Sequence, residues 1–528
     1  MKLTGNKGAI AAGGKGSATV GLGILKKGGN AVDAGIATVL ALSVTDRQTI
    51  GGEVAILISP AETGKVVAIN GQGPAPKKAT SEYFRDIGGI PPTGILPAAI
   101  PGMFSACLLA LEEYGTMSFA QIAKPTIDMI NNIDEEWFSV RYDLEDKEWL
   151  PRLANTLRRL VKAESTPSTG DRSKALKCVH DYFYDGPIAR ELVEWSSDRG
   201  GLLLEEDFRN YHASIEEPIL GTYRGYSVYK CGFWTQGPFM LQTLNILEGY
   251  DLSKMNPHDP EYIHLVIEAM KLALADRDTY YADPDFVEVP AEPLLSKKYA
   301  RKRRELIHHT KASLEYRPGG AWENPPLLEP NIDRLIEPHD TTTCVVADRL
   351  GNMFVATPSG WGSGVPPGET GIELGTRLQS FNTWEGHPNK IEPGKRPRIT
   401  LTPTLIEKDG NPFMAVSVAG GDQQDQTAIQ LVLNVIDFGL SAQQSADITR
   451  FGTNQLVGSF CQTPVEYGSL LIENKAPKET KQALKKKGHI LQLRESFPSA
   501  AVLLIWHGNG LFEPAGDMHK RREILAWA

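Results

Sequence analysis

The chain has 528 residues, 41% of them apolar and 23% charged, with 55 basic against 64 acidic side chains and a net charge of −9. That length suffices for a large core, while the interspersed, net acidic charge argues against a nucleic-acid partner. No apolar run reaches membrane-spanning length.

Five cysteines (Cys107, Cys178, Cys231, Cys344, Cys461) stand far apart, with no C-x-x-C or H-E-x-x-H spacing. No metal, cofactor or disulfide framework is expected, and the pattern fits a reducing compartment. The first residues carry no apolar signal core, so the protein is read as cytoplasmic and without a membrane partner.

Residues 8–44 read as a helix closed at Gly28-Gly29-Asn30 and followed by an Ala-rich helix, apolar nearly all round and hence buried. Gly13-Gly14-Lys15-Gly16-Ser17 fails as a phosphate loop. Ala9 stands where the first glycine belongs, and Gly16 replaces the Ser or Thr that should follow the lysine. Small residues packing helices tightly is the expectation there. After Gly51-Gly52, Val54–Ile58 and Val66–Ile69 read as a strand pair. Met103–Tyr114 and Phe119–Asn131 read as helices, and 132–200 as mostly helical and charged.

An acidic helix start is expected within Leu202–Tyr211, one strand over Tyr223–Tyr229, and a helix over Glu261–Ala282. Arg301–Arg304 and Lys485–Lys487 are read as solvated helix faces. The run Arg317–Asp340 holds five prolines without periodicity, the mark of an extended connector.

Beyond it the character changes. Thr341–Ala347 and Met353–Thr357 predict a hairpin turning at Gly351-Asn352. Gly362–Gly371 is a Gly/Pro loop, and Thr402–Ile406 and Met414–Val418 follow as strands. Gly420-Gly421-Asp422 is expected to end the last of these, with Asp422 capping a helix over Thr427–Phe438. Backbone N–H groups at such a junction are placed to face an anion. There are no internal repeats, and strand pairs alternating with long helices predict a layered α/β or α+β fold.

The chemistry suggested by these parts centres on Thr341. A threonine hydroxyl needs a base, and a threonine that begins a chain has its own α-amine, which titrates near neutrality. Cleavage at Asp340–Thr341, by attack of Thr341 on the preceding carbonyl, would create that terminus. Gly420 and Gly421 would then donate to an oxyanion, an interaction of about 3–4 kcal/mol. Ser359 would orient the Thr341 hydroxyl. The competing readings are a β-prone strand start, a Gly-Gly turn that merely packs a helix, and Cys344 as a rival nucleophile or a buried small hydrophobe.

Gly28–Ala34, Gly51-Gly52, Pro101-Gly102, Tyr114–Met117 and Tyr223–Tyr226 carry a resemblance. So do Ala275–Arg277, Asp283–Phe286, Asp340–Thr342, Gly351-Asn352, Pro393–Pro397 and Gly420–Asp422. In that order they resemble the γ-glutamyltransferase family of N-terminal nucleophile (Ntn) hydrolases. The resemblance implies an α+β fold of four αββα layers and self-cleavage into a large subunit, 1–340, and a small subunit, 341–528, which stay associated, with higher homo-oligomers compatible. It implies Thr341 as nucleophile, Gly420 and Gly421 as oxyanion hole, and Ser359 in place of the threonine that supports the nucleophile. The substrate would be a small-molecule amide, with water or an amine accepting the acyl group.

The pocket departs from the family pattern. Thr343 replaces a histidine, Ser81 an arginine that grips the γ-glutamyl carboxylate, Ile399 and Thr400 paired serines, Gln379 an acidic residue, and Trp361 an asparagine. The stretches Gly375–Arg377, Arg396–Arg398 and Gly421–Gln426 resemble instead a branch with glutathione-hydrolase-like proteins and oxamate amidohydrolase. Arg377, Gln379, Thr400, Trp361 and Asp422 are therefore the expected substrate-binding residues. Arg377 is open to two readings, a bidentate carboxylate clamp or a structural ion pair in the wall. An autoprocessing amidohydrolase or acyltransferase with a non-standard acyl group is expected. A true γ-glutamyltransferase and an unprocessed scaffold are the alternatives.

Overall fold

A computed structural model describes residues 3–46, 50–133, 148–165, 170–320, 341–360, 362, 364–508 and 510–528. The expectations for Asp340, Trp361 and most of the proline-rich run fall outside these residues.

Two antiparallel sheets pack face to face. The first has seven strands in the order β16 (Glu523–Trp527), β1 (Gly8–Ala12), β7 (Cys344–Asp348), β8 (Met353–Ser359), β2 (Glu53–Ser59), β3 (Val67–Gly71), β4 (Ser214–Glu216). The second runs β15 (Phe512–Gly516), β14 (Ala500–Trp506), β10 (Asn411–Ala419), β9 (Thr404–Lys408), β6 (Tyr226–Lys230), β5 (Ile219–Tyr223). A smaller sheet of β11 (Phe451–Gly452), β12 (Ser469–Glu473) and β13 (Ile490–Arg494) lies beside them.

Period-two side-chain direction sorts each strand between two cores. In the first sheet Ala9, Ala55, Leu57, Val345 and Val355 face inward to meet Leu405, Ala415, Val502 and Leu504 of the second. Their alternates Ile10, Ile56, Val346 and Phe354 pack on helices Ala31–Thr45, Met103–Tyr114, Phe119–Asn131 and Trp149–Glu164. Ile406, Val416, Val418 and Leu503 pack on helices Pro238–Leu247, Pro260–Tyr280 and Gln424–Ile436. The outcome is the four-layer αββα arrangement. Because both faces of each central strand are covered, the strands read as continuous apolar runs rather than alternating ones.

Three expectations are corrected. Residues 8–12 form a strand, not the approach to a helix. The stretch read as one strand at 223–229 is a hairpin, β5–β6, turning at Arg224 (φ 51°) and Gly225 (φ 84°). Arg303 of the basic run is buried, donating to the Leu272 carbonyl (3.0 Å) and paired with Asp276 (3.4 Å). Among the described residues no helix is long and apolar enough to cross a membrane.

Candidate active site

Thr341, Thr342 and Thr343 lead into β7 as extended chain, and all three are buried. They are held from both sides. Thr342 N donates to the Pro358 carbonyl at the end of β8 (2.9 Å), and Gly13 N donates to the Thr343 carbonyl (2.9 Å). Thr342 Oγ1 donates to Asp46 Oδ2 at 2.7 Å, and Arg522 stands 3.8 Å from the same carboxylate. A side chain on Gly13 would collide with Thr342 Oγ1 and Asp46. Gly13 therefore serves the threonines, whereas Gly14 passes close to Thr45 at the end of helix Ala31–Thr45, in keeping with the expected helix packing.

The Thr341 hydroxyl meets the carboxamide of Gln424 at 3.1 Å. One orientation of that amide satisfies both its ends. Its oxygen accepts from Thr341 Oγ1, while its nitrogen donates to the carbonyls of Val418 (3.0 Å) and Thr400 (2.9 Å). Gln424 is the first residue of the helix that follows β10 and the Gly420-Gly421 turn. Thus the threonine and the glycine turn are linked through one buried side chain. Sequence reading missed it; the only signal was a run of polar residues, Gln424-Asp425-Gln426, that proves fully buried at a helix start.

Gly420 and Gly421 adopt φ of 129° and 55°, values open to glycine and strained for any other residue. They line a cavity of about 550 Å³ together with Leu456, Phe460, Pro464 and Pro498 and the charged side chains of Asp422, Glu466, Arg494 and Lys520. The expected Asp422 cap is not made. Gln423 occupies the cap position without a side-chain cap bond, and Asp422 turns to Arg277 (2.5 Å) and the Ser459 N–H (2.9 Å). Burial alone would raise the Asp422 carboxyl, but Arg277 and Arg398 hold it below its ordinary value.

Ser359 ends β8, opposite Glu53 in β2. Its hydroxyl accepts from Arg377 Nη2 at 2.8 Å, and Arg377 Nε donates to Glu53 at 2.6 Å. Both charged groups are buried. Burial pushes the Glu53 carboxyl up against the pull of Arg377. The edge of Arg377 suited to a bidentate clamp thus faces Glu53, and among the described residues Nη1 has no hydrogen-bond partner. Gln379 donates to Thr376 Oγ1 (2.9 Å) and accepts at its carbonyl from Cys461 N and Gln462 Nε2 (both 3.1 Å). Thr400 is buried and meets Gln424; its neighbour Ile399 packs between the sheets. Cys344 is buried in β7, where burial raises its thiol far above the range in which a thiolate forms.

Behind Gln424 lies a fully buried ion pair, Lys230 Nζ to Asp425 Oδ1 at 2.8 Å. Lys230 also donates to Thr404 Oγ1 (2.8 Å) and the Thr402 carbonyl (3.1 Å). Burial pushes the Asp425 carboxyl up to about 6 against the attraction of Lys230.

The profile of the family described as Gamma-glutamyltranspeptidase matches residues 17–132 and 139–527. The chain is 33% identical to the glutathione hydrolase proenzyme of Escherichia coli (strain K12), covering 92% of this chain and 86% of that one. It is 30% identical to the glutathione hydrolase-like YwrD proenzyme of Bacillus subtilis (strain 168), covering 94% of each. The crystal structure of cephalosporin acylase from Bacillus halodurans superposes with a TM-score of 0.85 at 27% identity, covering 100% of this chain and 97% of that one. With its four-layer fold and near-complete match, the chain belongs to the γ-glutamyltranspeptidase family of Ntn-type hydrolases.

Proposed function

We propose that this protein is an autoprocessing amidohydrolase or acyltransferase whose nucleophile is Thr341, freed by cleavage at Asp340–Thr341. The observation that carries the reading is the placement of the Thr341 hydroxyl on Gln424, at the head of the helix that leaves Gly420-Gly421. In the processed enzyme, Thr341 Oγ attacks the amide carbonyl carbon and its proton passes to the residue's own α-amine. Backbone N–H groups of Gly420 and Gly421 meet the oxyanion. The amine leaves with that proton, and water or another amine attacks the ester at Thr341 to release the acyl group.

The acyl group proposed is not a γ-glutamyl head held by ionic contacts. Asp422 is engaged by Arg277 and Ser459, Arg377 by Glu53, and Gln379 by its own loop neighbours. Burying an amino-acid head group without matched charges is unfavourable by several kcal/mol. Among the described residues Arg377 Nη1 has no hydrogen-bond partner, which leaves its N–H groups for a neutral acceptor.

Gel analysis of purified protein tests the nucleophile, with bands of about 37 and 21 kDa expected from subunits 1–340 and 341–528. Thr341→Ala should stay a single full-length band without amide hydrolysis. Cleavage persisting in that variant would remove Thr341 from the role. For the acyl group, turnover of γ-glutamyl-anilide, glutathione, oxamate and simple N-acyl amides is compared, and dominant γ-glutamyl turnover would overturn the pocket reading.

A further inference from the structure

Between the Gly-Gly turn and Arg377 lies a loop with no assigned role. Gly458 N donates to the Thr463 carbonyl at 3.0 Å, closing a tight turn whose tip is Phe460. The two residues after the tip, Cys461 (φ 53°) and Gln462 (φ 51°), lie consecutively in the left-handed region, and neither is glycine. Such conformations persist only where the surroundings over-determine them, and they gather at ligand-binding sites.

Here the surroundings are two clamps. On one side the Ser459 N–H and hydroxyl both donate to Asp422, and Arg398 donates to Ser459 Oγ at 2.6 Å. On the other, Cys461 N and Gln462 Nε2 both donate to the Gln379 carbonyl at 3.1 Å. Asp422 and Gln379, expected to touch substrate, are the two anchors of the loop that carries Phe460.

The strained turn presents one aromatic ring. Its Cε2 comes within 3.0 Å of where a Cβ on Gly421 would lie, so a side chain there would press on the ring. Its centroid is 5.5 Å from the Arg377 guanidinium. The ring also lines the cavity that begins at Gly420 and Gly421, beside Leu456, Pro464, Leu471 and Pro498. The aromatic wall against the glycine turn, beside Leu456 and Pro498, suits a flat apolar group there, while Glu466, Arg494 and Lys520 line other parts of the same cavity.

We propose that Phe460 is a specificity-determining residue that selects an apolar, ring-sized acyl group next to the scissile carbonyl. The proposal rests on the Thr341 and Gly420-Gly421 reading above.

The test compares p-nitroanilides that differ only in the acyl group: acetyl, hexanoyl, phenylacetyl and γ-glutamyl. Wild-type enzyme should show a phenylacetyl-to-acetyl ratio of kcat/KM above about tenfold, carried mainly by KM. Phe460→Ala should reduce that ratio to about twofold. Phe460→Leu, which keeps apolar bulk without the ring, should lower it in the same direction and serves if the alanine variant does not fold. A ratio unchanged in these variants overturns the proposal, as does processed wild-type enzyme that turns over no apolar acyl anilide. Thr341→Ala run alongside separates the two readings. If it retains wild-type turnover, the nucleophile assignment fails; if turnover depends on Thr341 while the ratio ignores position 460, only the present proposal fails.

Discussion

Gln424 accepts the hydroxyl of Thr341 at 3.1 Å while its nitrogen spans the carbonyls of Val418 and Thr400. One buried amide therefore ties the strand that ends at the glycine turn, the segment before β9, and the threonine to a common point. A glutamine cannot serve as a base, so its contribution is orientation. Gln424→Ala should lower kcat about tenfold, the worth of one buried hydrogen bond, with KM changed less than twofold. Steady-state kinetics on processed enzyme decide it. A loss confined to KM would mean that Gln424 supports the fold of the pocket and not the hydroxyl.

Lys230 and Asp425 join the part of the chain before Thr341 to the part after it, with both side chains fully buried. Removing one partner strands the other charge, so Lys230→Met should cost about 3–5 kcal/mol of unfolding free energy. The double variant Lys230→Met with Asp425→Leu should recover most of that loss. Urea unfolding of the three variants gives the coupling directly, and additive losses would contradict it.

Acid should destabilise the protein in a defined window. Burial pushes the imidazole of His387 down to about 3 and that of His489 down to about 2. Both rings stay neutral in the fold, while the unfolded chain takes up a proton on each near pH 6.5. A depressed imidazole pKa leaves stability intact above about pH 6.5 and removes it as pH falls toward the folded value. At pH 5 each ring accounts for a loss of about 2 kcal/mol. Protonation of Asp425, whose raised carboxyl acts in the opposite sense, offsets part of this. Urea midpoints should thus fall between pH 7.5 and 5.0 by less than the two rings alone would give, and more shallowly in His489→Gln.

Gly13 passes the threonines too closely to admit a methyl group. Gly13→Ala should displace Thr342 from Asp46, with an overpacking cost of about 1–3 kcal/mol. Slower loss of the full-length band is the expected sign. Wild-type processing and an unchanged melting temperature together would mean that the end of β1 has no hold on the cleavage segment.

Legibility followed the range of the interactions. Helices Met103–Tyr114 and Phe119–Asn131 were read to the residue, because their periodicity is local and Ser118 with Gln121 closes a capping box. Strand β1 was not, since Gly8-Ala9-Ile10-Ala11-Ala12 has one β-branched residue and becomes a strand only through pairing with β7 and β16. The β5–β6 hairpin was missed because Arg224 in the left-handed region does not look like a turn residue. In the site, the Thr341 start and the glycine pair are weak signals by composition and gain their weight from the family resemblance. Gln424 and Phe460 did not stand out, because each owes its place to contacts with residues far away in the chain.

The order of strands in the first sheet carries a physical consequence for the cut protein. Strands β7 and β8 lie between β1 and β2, so a chain starting at Thr341 is laced through the sheet of the other. A break at that point would release no piece without melting the central layer. Unfolding would remain a first-order event, while recovery would need two separate chains to meet and thread the same sheet. Renaturation yield of processed protein should therefore rise with protein concentration until aggregation intervenes, whereas an uncut Thr341→Ala chain should refold with a concentration-independent rate.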